Sequence, residues 1–245
     1  MPVFMPGHRP EAVLLLHGFT GVVGEMRYLG GRLNEAGFTV SIPRLPGHGT
    51  GRDDFRSSDR GDWLRRSVDA YLDLRSRFEQ VYVAGLSMGG LLTIELAARF
   101  PIPRIALAAP AVTNSDRRIF LTPLLRFFIK KTASSYTEEE SDPDRAVLAD
   151  EYWRWRYPQQ VYELLRLQLR ARHLLPRVEA DSMIIVSRQD RTVPMKAADI
   201  IEKKIAAGKI RRVVLQESSH VVVDGVEKAR VADEVISWFS DGSSS

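Results

Sequence analysis

Short apolar runs alternate with amphipathic stretches along most of this 245-residue chain, and no other feature restricts its fold as strongly. The runs are rich in valine, isoleucine and leucine, which is typical of parallel strands buried on both faces of a sheet. The strand candidates are residues 12–16, 39–42, 81–84, 105–108, 183–186 and 213–216. Strands that alternate with helices predict an α/β doubly wound domain with a mostly parallel sheet.

The helices are predicted from apolar residues that recur every three to four positions between the runs. One helix lies between the second and third strand candidates, where the recurring residues are Leu64, Val68, Tyr71, Leu72 and Phe78. Three more are predicted at 91–100, 197–206 and 226–239, and glycine or proline stands at several of their ends.

The alternation breaks between residues 113 and 176, where the pattern is helical and aromatic without a strand candidate. This segment is predicted to be an insertion. Within it an apolar stripe recurs at positions i, i+3, i+4 and i+7, formed by Leu121, Leu124, Leu125 and Phe128. We expect this stripe to be buried against the core. The alternative is an interfacial helix whose Arg126, Lys130 and Lys131 face anionic lipid.

The composition, 44% hydrophobic and 27% charged, is that of a soluble globular protein, and no apolar run approaches the length that crosses a bilayer. We therefore expect no stable membrane insertion. The first residues lack the basic and apolar regions of a secretory signal, which favours a cytoplasmic location. The absence of cysteine excludes disulfides, a thiolate nucleophile and cysteine-based metal sites.

The net charge of +4 is scattered along the chain rather than concentrated in one segment. Acidic residues separate the basic pairs Arg65-Arg66, Lys130-Lys131 and Arg211-Arg212, as on a mixed solvated surface. We therefore predict that the protein has no nucleic-acid partner.

Gly85-Leu-Ser87-Met-Gly89 matches the pattern G-x-S-x-G. The match directly follows the strand candidate 81–84 and directly precedes a predicted helix, which is the setting of a nucleophile elbow. Glycine is needed there because the turn is tight and a Cβ would collide with the adjoining strand and helix. The alternative is a glycine-rich turn that carries a solvated serine. Ser87 is thus the candidate nucleophile.

Two histidines follow Ser87 in the sequence. His173 lies inside the helical insertion, whereas His220 lies in the loop just after the last strand candidate, at the carboxyl edge of the sheet. His220 is therefore the candidate base.

Asp190 follows the penultimate strand candidate, so its carboxylate reaches the same edge of the sheet. Asp181 precedes that strand and is expected at the opposite edge. Glu217 and Asp224 flank His220 closely and remain alternatives for the acid that orients it.

A tetrahedral intermediate needs preorganised hydrogen-bond donors for its oxyanion. The backbone N–H of Met88 is one candidate, because Met88 follows the nucleophile. The backbone N–H of Phe19 is the other, since Gly18 and Gly21 let the loop after the first core strand turn its amides inward. His17, in the same loop, is expected to make a structural hydrogen bond.

The sequence holds no Walker motif, no G-x-G-x-x-G, no H-E-x-x-H and no Cys/His cluster. Neither a nucleotide nor a metal is required, and we expect a reaction without a cofactor.

With these residues in place, the chain resembles the bacterial carboxylesterase and monoacylglycerol lipase group of α/β hydrolases. The resemblance covers nearly the whole chain and rests on motifs in matching order, namely 17–21, Met26-Arg27, 43–50, Asp62-Trp63, 85–90, 190–194 and 219–221. It implies a sheet of about seven or eight strands and hydrolysis of short- or medium-chain acyl esters. It also implies a triad of Ser87, Asp190 and His220, with Phe19 and Met88 as backbone oxyanion donors.

The same resemblance places a small helical cap after the strand that ends near Ala108. The domain prediction is therefore an α/β-hydrolase core at 1–112 and 177–241, a cap at 113–176 and a disordered tail at 242–245.

The cap departs most from the similar enzymes, because residues 152–157 are aromatic and basic where residues contacting a glycerol group would be expected. This puts monoacylglycerol in doubt and favours an aryl or bulkier ester, unless the rings only pack the cap onto the core. The candidate substrate-binding residues are Leu125, Phe128, Trp153 and Trp155.

The leading hypothesis is a carboxylesterase acting on a small hydrophobic ester, followed by a monoacylglycerol lipase and an aryl or hydroxycinnamoyl esterase. Thioesterase or acyltransferase activity would use the same residues, because an acyl-enzyme does not record its leaving group. Dehalogenases and epoxide hydrolases of this fold carry aspartate where this chain has Ser87. A non-catalytic ligand-binding homologue is the hypothesis from another class, and the oligomeric state stays open.

Overall fold

The computed structural model describes residues 1–133 and 155–241. In these ranges the strands, in chain order, are β1 (Val3–Met5), β2 (Glu11–Leu16), β3 (Thr39–Ile42), β4 (Gln80–Leu86), β5 (Arg104–Ala108), β6 (Thr132–Ala133), β7 (Trp155–Arg156), β8 (Asp181–Ser187) and β9 (Ile210–Leu215). Seven of them form one sheet in the order β1-β3-β2-β4-β5-β8-β9, and β6 pairs with β7 separately. Only β1 runs antiparallel to its neighbour in the large sheet. The predicted mostly parallel α/β fold is confirmed.

The helices of the described ranges are α1 (Arg27–Glu35), α2 (Arg52–Ser57), α3 (Arg60–Arg75), α4 (Met88–Ala97), α5 (Thr122–Leu125), α6 (Pro158–Leu174), α7 (Lys196–Glu202) and α8 (Lys228–Ser240). All six strand candidates and the four predicted helices correspond to observed elements. The prediction missed β1, which is only three residues long, the six-residue α2, and α1, in which two adjacent glycines lower the helix propensity. It also missed β6 and β7 within 113–176, because strands of two residues are too short to show a pattern.

The sheet is buried because helices cover both of its faces. Along β2 the side chains alternate between two apolar clusters, with Ala12, Leu14 and Leu16 in one and Val13 and Leu15 in the other. The first cluster includes apolar residues of α3, α4, α6 and α7, and the second includes those of α1 and α8. Burial on both faces explains why β2 is a continuous apolar run rather than an alternating one.

The strand register brings three loops together at the carboxyl edge of the sheet. Leu16 lies opposite Gly85, and Leu86 lies opposite Ala108. The chain segments that follow β2, β4 and β5 therefore leave the sheet side by side, as expected for a ligand site in this class of fold.

Polar side chains attach α6 to the core. Gln160 Nε2 donates to the carbonyl of Arg56 at 2.7 Å, and Gln168 Nε2 donates to that of Ala111 at 2.5 Å. Arg170 on α6 also lies 2.7 Å from the fully buried carboxylate of Glu95 on α4. The insertion is thus joined to the helix that begins at the candidate nucleophile.

The predicted burial of the apolar stripe is wrong. Leu121, Leu124 and Phe128 are 57%, 65% and 78% exposed, and Leu125 is only partly buried. The helical spacing fails because α5 spans four residues and ends at Leu125, so positions three to seven apart do not share one helix face. The buried position of this turn is Thr122, whose hydroxyl donates to the carbonyl of Ile119.

Candidate active site

Ser87 lies between the end of β4 and the start of α4, at a backbone φ of +54° that is strained for a non-glycine residue. Its N–H donates to the carbonyl of Ala108 at 2.9 Å, which ties the turn to β5. A Cβ on Gly85 would collide with the Gly89 carbonyl, and one on Gly89 would collide with the Leu16 carbonyl. The two glycines of the motif are therefore required by the close approach of neighbouring backbone.

His220 lies between Ser87 and Asp190. Its Nε2 is 2.9 Å from the Ser87 hydroxyl oxygen, and its Nδ1 is 2.8 Å from Asp190 Oδ2. With the Nδ1 hydrogen donated to the carboxylate, Nε2 is left to accept the hydrogen of the serine hydroxyl. The structure thus brings together the three side chains that sequence analysis selected, from segments up to 133 residues apart.

The Asp190 carboxylate is held by its own loop. Its Oδ1 accepts the backbone N–H groups of Thr192 at 2.8 Å and Val193 at 2.9 Å, while Oδ2 faces His220. The side chain is 1% exposed. These bonds fix the carboxylate before any substrate binds.

The alternative acids are situated differently. Asp224 pairs with Lys228 Nζ at 3.0 Å, and the Glu217 side chain is exposed, whereas the buried Asp190 carboxylate contacts His220 Nδ1. His173 lies on the exposed side of α6. The geometry therefore separates all three from the contact between Ser87 and His220 described above.

Glu227 was not selected from the sequence, yet it organises the loop that leads to His220. Its carboxylate accepts the backbone N–H groups of Gln216, Glu217 and Ser218, and also the Ser218 hydroxyl. Burial opposes ionisation, but these hydrogen bonds outweigh it and lower the pKa of Glu227 to about 2. Its only sequence signal is an acid at the start of α8, which does not point to the loop.

The loop after β2 approaches Ser87 through Gly18, since a Cβ on Gly18 would lie 3.5 Å from the Ser87 Cβ. His17 holds this loop in place: its Nδ1–H donates to the Gly18 carbonyl at 3.1 Å, and its Nε2 accepts the Leu45 N–H at 3.2 Å. The expected structural role of His17 is confirmed. Phe19 follows Gly18 in this loop, and Met88 follows Ser87 as the first residue of α4.

A second buried histidine, His48, lies 5.2 Å from His17 between ring centroids. The rings of Phe19, Phe55 and Trp63 surround it, and its Nδ1–H donates to the Pro46 carbonyl at 2.9 Å. Burial lowers the pKa of His17 to about 4, and burial together with the nearby His17 lowers the pKa of His48 to about 3. Both imidazoles are therefore neutral near pH 7.

The aromatic residues at the end of the insertion pack onto this cluster. The buried Tyr157 contacts Phe55 with ring centroids 6.1 Å apart, and Trp155 and Phe19 pack against the same pair. Trp153 lies outside the described residues. The alternative in which these rings join the insertion to the core thus accounts for Tyr157.

Within residues 1–133 and 155–241, histidines and carboxylates form no group of three that suits a metal ion. No helix in this part of the chain combines the length and the apolar character needed to span a bilayer.

Comparison with known proteins identifies the family of the chain. A model of the alpha/beta hydrolase family matches residues 13–234. The chain belongs to this family. A thermostable monoacylglycerol lipase of Bacillus sp. (strain H-257) is 31% identical over 244 residues, covering 97% of the chain and 93% of the lipase. A carboxylesterase of Bacillus subtilis (strain 168) is 27% identical over 228 residues, covering 92% of the chain and 90% of the esterase.

The fold of this α/β hydrolase is also shared with solved structures. A structure from work on the metagenome-derived lipolytic enzymes LipS and LipT superposes with a TM-score of 0.88 at 28% identity, covering 98% of the chain and 97% of that protein. These findings confirm the predicted membership of the bacterial carboxylesterase and monoacylglycerol lipase group. The chain is accordingly a serine ester hydrolase.

Proposed function

We propose that this α/β hydrolase is a carboxylesterase that cleaves short- to medium-chain acyl esters through an acyl-enzyme on Ser87. The observation that carries the proposal is the continuous contact from the Ser87 hydroxyl through His220 to Asp190, at 2.9 and 2.8 Å. A serine hydroxyl becomes a useful nucleophile when an adjacent neutral imidazole accepts its proton.

In the proposed mechanism, Ser87 Oγ attacks the ester carbonyl while His220 Nε2 takes the hydroxyl proton. The Asp190 carboxylate stabilises the resulting imidazolium. The backbone N–H groups of Phe19 and Met88 bind the oxyanion of the tetrahedral intermediate. His220 then gives its proton to the leaving alcohol, and water, activated by the same imidazole, releases the acid and restores Ser87.

The substrate region is proposed to lie under a cap formed by residues 113–176, with 1–112 and 177–241 as the hydrolase core. Leu125, Phe128, Trp153 and Trp155 remain the candidate substrate contacts. Monoacylglycerol hydrolysis is the second candidate, favoured by the relative with 31% identity. An aryl ester is a third candidate, supported by the partly exposed aromatic ring of Trp155.

Activity should be measured on p-nitrophenyl esters of two to sixteen carbons, beside monoacylglycerols and methyl ferulate. We expect the highest kcat/KM on short or medium chains. Ser87→Ala should lower kcat by roughly 10⁴- to 10⁶-fold with the fold retained, and an organophosphate should label wild type at Ser87 alone. Full activity in Ser87→Ala would rule out the mechanism. Preferred turnover of monoacylglycerol or ferulate would support the second or the third candidate instead.

A further inference from the structure

Five large apolar side chains are exposed within nine consecutive residues. These residues, here called the apolar segment, are Phe120, Leu121, Leu124, Phe127 and Phe128, and their exposed fractions run from 55% to 78%. Single exposed apolar residues are common on soluble proteins, but a contiguous group of this size marks a contact surface.

Cations continue directly from the apolar segment. Lys130 and Lys131 line a cavity of about 290 Å³ together with Arg52 and Arg56 of α2, Asp53 and Tyr157. Asp53, the one carboxylate among the described lining residues, is 80% exposed and lies 3.3 Å from Arg56, so these described side chains together carry a net charge of +3. We call the two arginines and two lysines the cationic pocket.

Aromatic rings hold part of the cationic pocket in place. Lys131 Nζ lies 3.9 Å from the ring centroid of Trp155, and the Arg56 guanidinium lies 5.9 Å from that of Tyr157. Arg126, inside the apolar segment, similarly lies 4.6 Å from the ring of Phe127. Positive charge and exposed apolar area are therefore interleaved on one face of the molecule.

We propose that this face docks the protein on an anionic lipid surface, with the apolar segment in the interface and a headgroup phosphate in the cationic pocket. An anionic bilayer offers negative charge and an apolar layer within a few ångströms of each other, which matches the interleaving. A second copy of the chain fits less well, because a two-fold interface would set one cationic pocket against the other. A soluble anion would leave the apolar segment without a role.

The test is co-sedimentation of the full chain with vesicles of phosphatidylcholine alone and of phosphatidylcholine with phosphatidylglycerol. We expect binding to the anionic vesicles only. Leu124→Ser combined with Phe127→Ser should weaken it about tenfold or more, and Arg52→Gln combined with Lys130→Gln should weaken it about tenfold. Binding needs no turnover, so the result does not depend on the proposed triad.

Matched controls come from other surfaces. Leu72→Ser removes an apolar side chain that is 47% exposed on α3, and Lys203→Gln with Lys204→Gln removes two exposed cations after α7. Both controls should bind like wild type, and thermal unfolding checks that every variant is folded.

Three results would overturn the proposal. One is binding that neither test variant weakens. Another is release of the protein from the vesicles by inorganic phosphate but not by sodium chloride of equal ionic strength, since that indicates a site for a soluble anion. The third is self-association that Phe127→Ser abolishes in a protein that does not bind vesicles, since that indicates a second copy.

Discussion

At the scale of single residues, Asp190 uses its two carboxylate oxygens differently. Oδ1 accepts two backbone N–H groups, and Oδ2 faces Nδ1 of His220. In Asp190→Asn the amide oxygen can satisfy the backbone, but the NH₂ group then faces His220 and favours the wrong tautomer. We expect a retained fold and a kcat roughly 10³- to 10⁴-fold lower, measured on a soluble p-nitrophenyl ester.

Asp224→Asn is the matched control, because Asp224 is also close to His220 in sequence but pairs with Lys228. It should keep nearly full activity. A near wild-type Asp190→Asn beside an inactive Asp224→Asn or Glu217→Gln would show that the acid is misassigned.

Candidate site residues were predictable from the sequence where each directly follows a strand. Ser87, Asp190 and His220 all come shortly after an apolar run, and parallel strands bring such positions to one edge. Glu227 and His48 were not predictable, because most of the groups that surround each side chain come from separate segments that only the folded chain brings together. Such contacts leave no regular spacing of residues in the sequence from which they could be predicted.

At the scale of elements, the loop between β9 and α8 depends on Glu227. In Glu227→Gln only one side-chain oxygen remains to accept, and the NH₂ group would face backbone donors. We expect a loss of about 1 to 3 kcal/mol in the free energy of unfolding and a kcat about tenfold lower with little change in KM, because His220 is positioned less well. Chemical denaturation and steady-state kinetics measure the two effects.

Asp233→Asn on the same helix is the control, since Asp233 is 65% exposed and its ion-pair partner among the described residues is Arg32. The pH dependence of the free energy of unfolding shows whether the ionised Glu227 carboxylate is the stabilising group. Because the pKa of Glu227 is lowered to about 2, its stabilising effect is present above pH 4.5 and is lost as pH falls toward 2. A kcat for Glu227→Gln equal to that of wild type would contradict a positioning role.

Strands and helices were predicted correctly where buried apolar residues recur regularly along the element, as in the six apolar runs and the long helix α3. They failed in the insertion, where the spacing of Leu121, Leu124 and Phe128 predicted a buried helix face. Periodicity assumes one regular helix, and the short α5 cannot present such a face. The feature that misled the prediction is the one that now points to a docking surface.

At the scale of the whole molecule, the neutral pair His17 and His48 links the loops that follow β2 and β3. Both ring nitrogens of His17 are already engaged, since Nδ1–H donates to Gly18 and Nε2 accepts from Leu45. A second proton on Nε2 would face the Leu45 N–H, and one on His48 would enter a cluster of aromatic rings. The folded protein therefore resists protonation of either histidine.

This resistance predicts acid sensitivity with a defined pH window. Unfolded histidines take up protons below pH 6.5, whereas the folded pKa values are about 4 for His17 and about 3 for His48. The unfolded state thus binds more protons between these limits, and the free energy of unfolding should fall by about 2 kcal/mol per histidine from pH 7 to pH 5. Above about pH 7.5, where the unfolded histidines are also neutral, neither should contribute a slope. Urea unfolding gives the change in the free energy of unfolding between pH 7 and pH 5 for wild type and for His48→Gln. The difference between these two changes is the contribution of His48, because a packing defect affects the variant equally at both pH values. His173→Gln, which alters an exposed histidine on α6, should keep the wild-type difference. Equal differences in wild type and His48→Gln would mean that His48 is not held neutral by the fold.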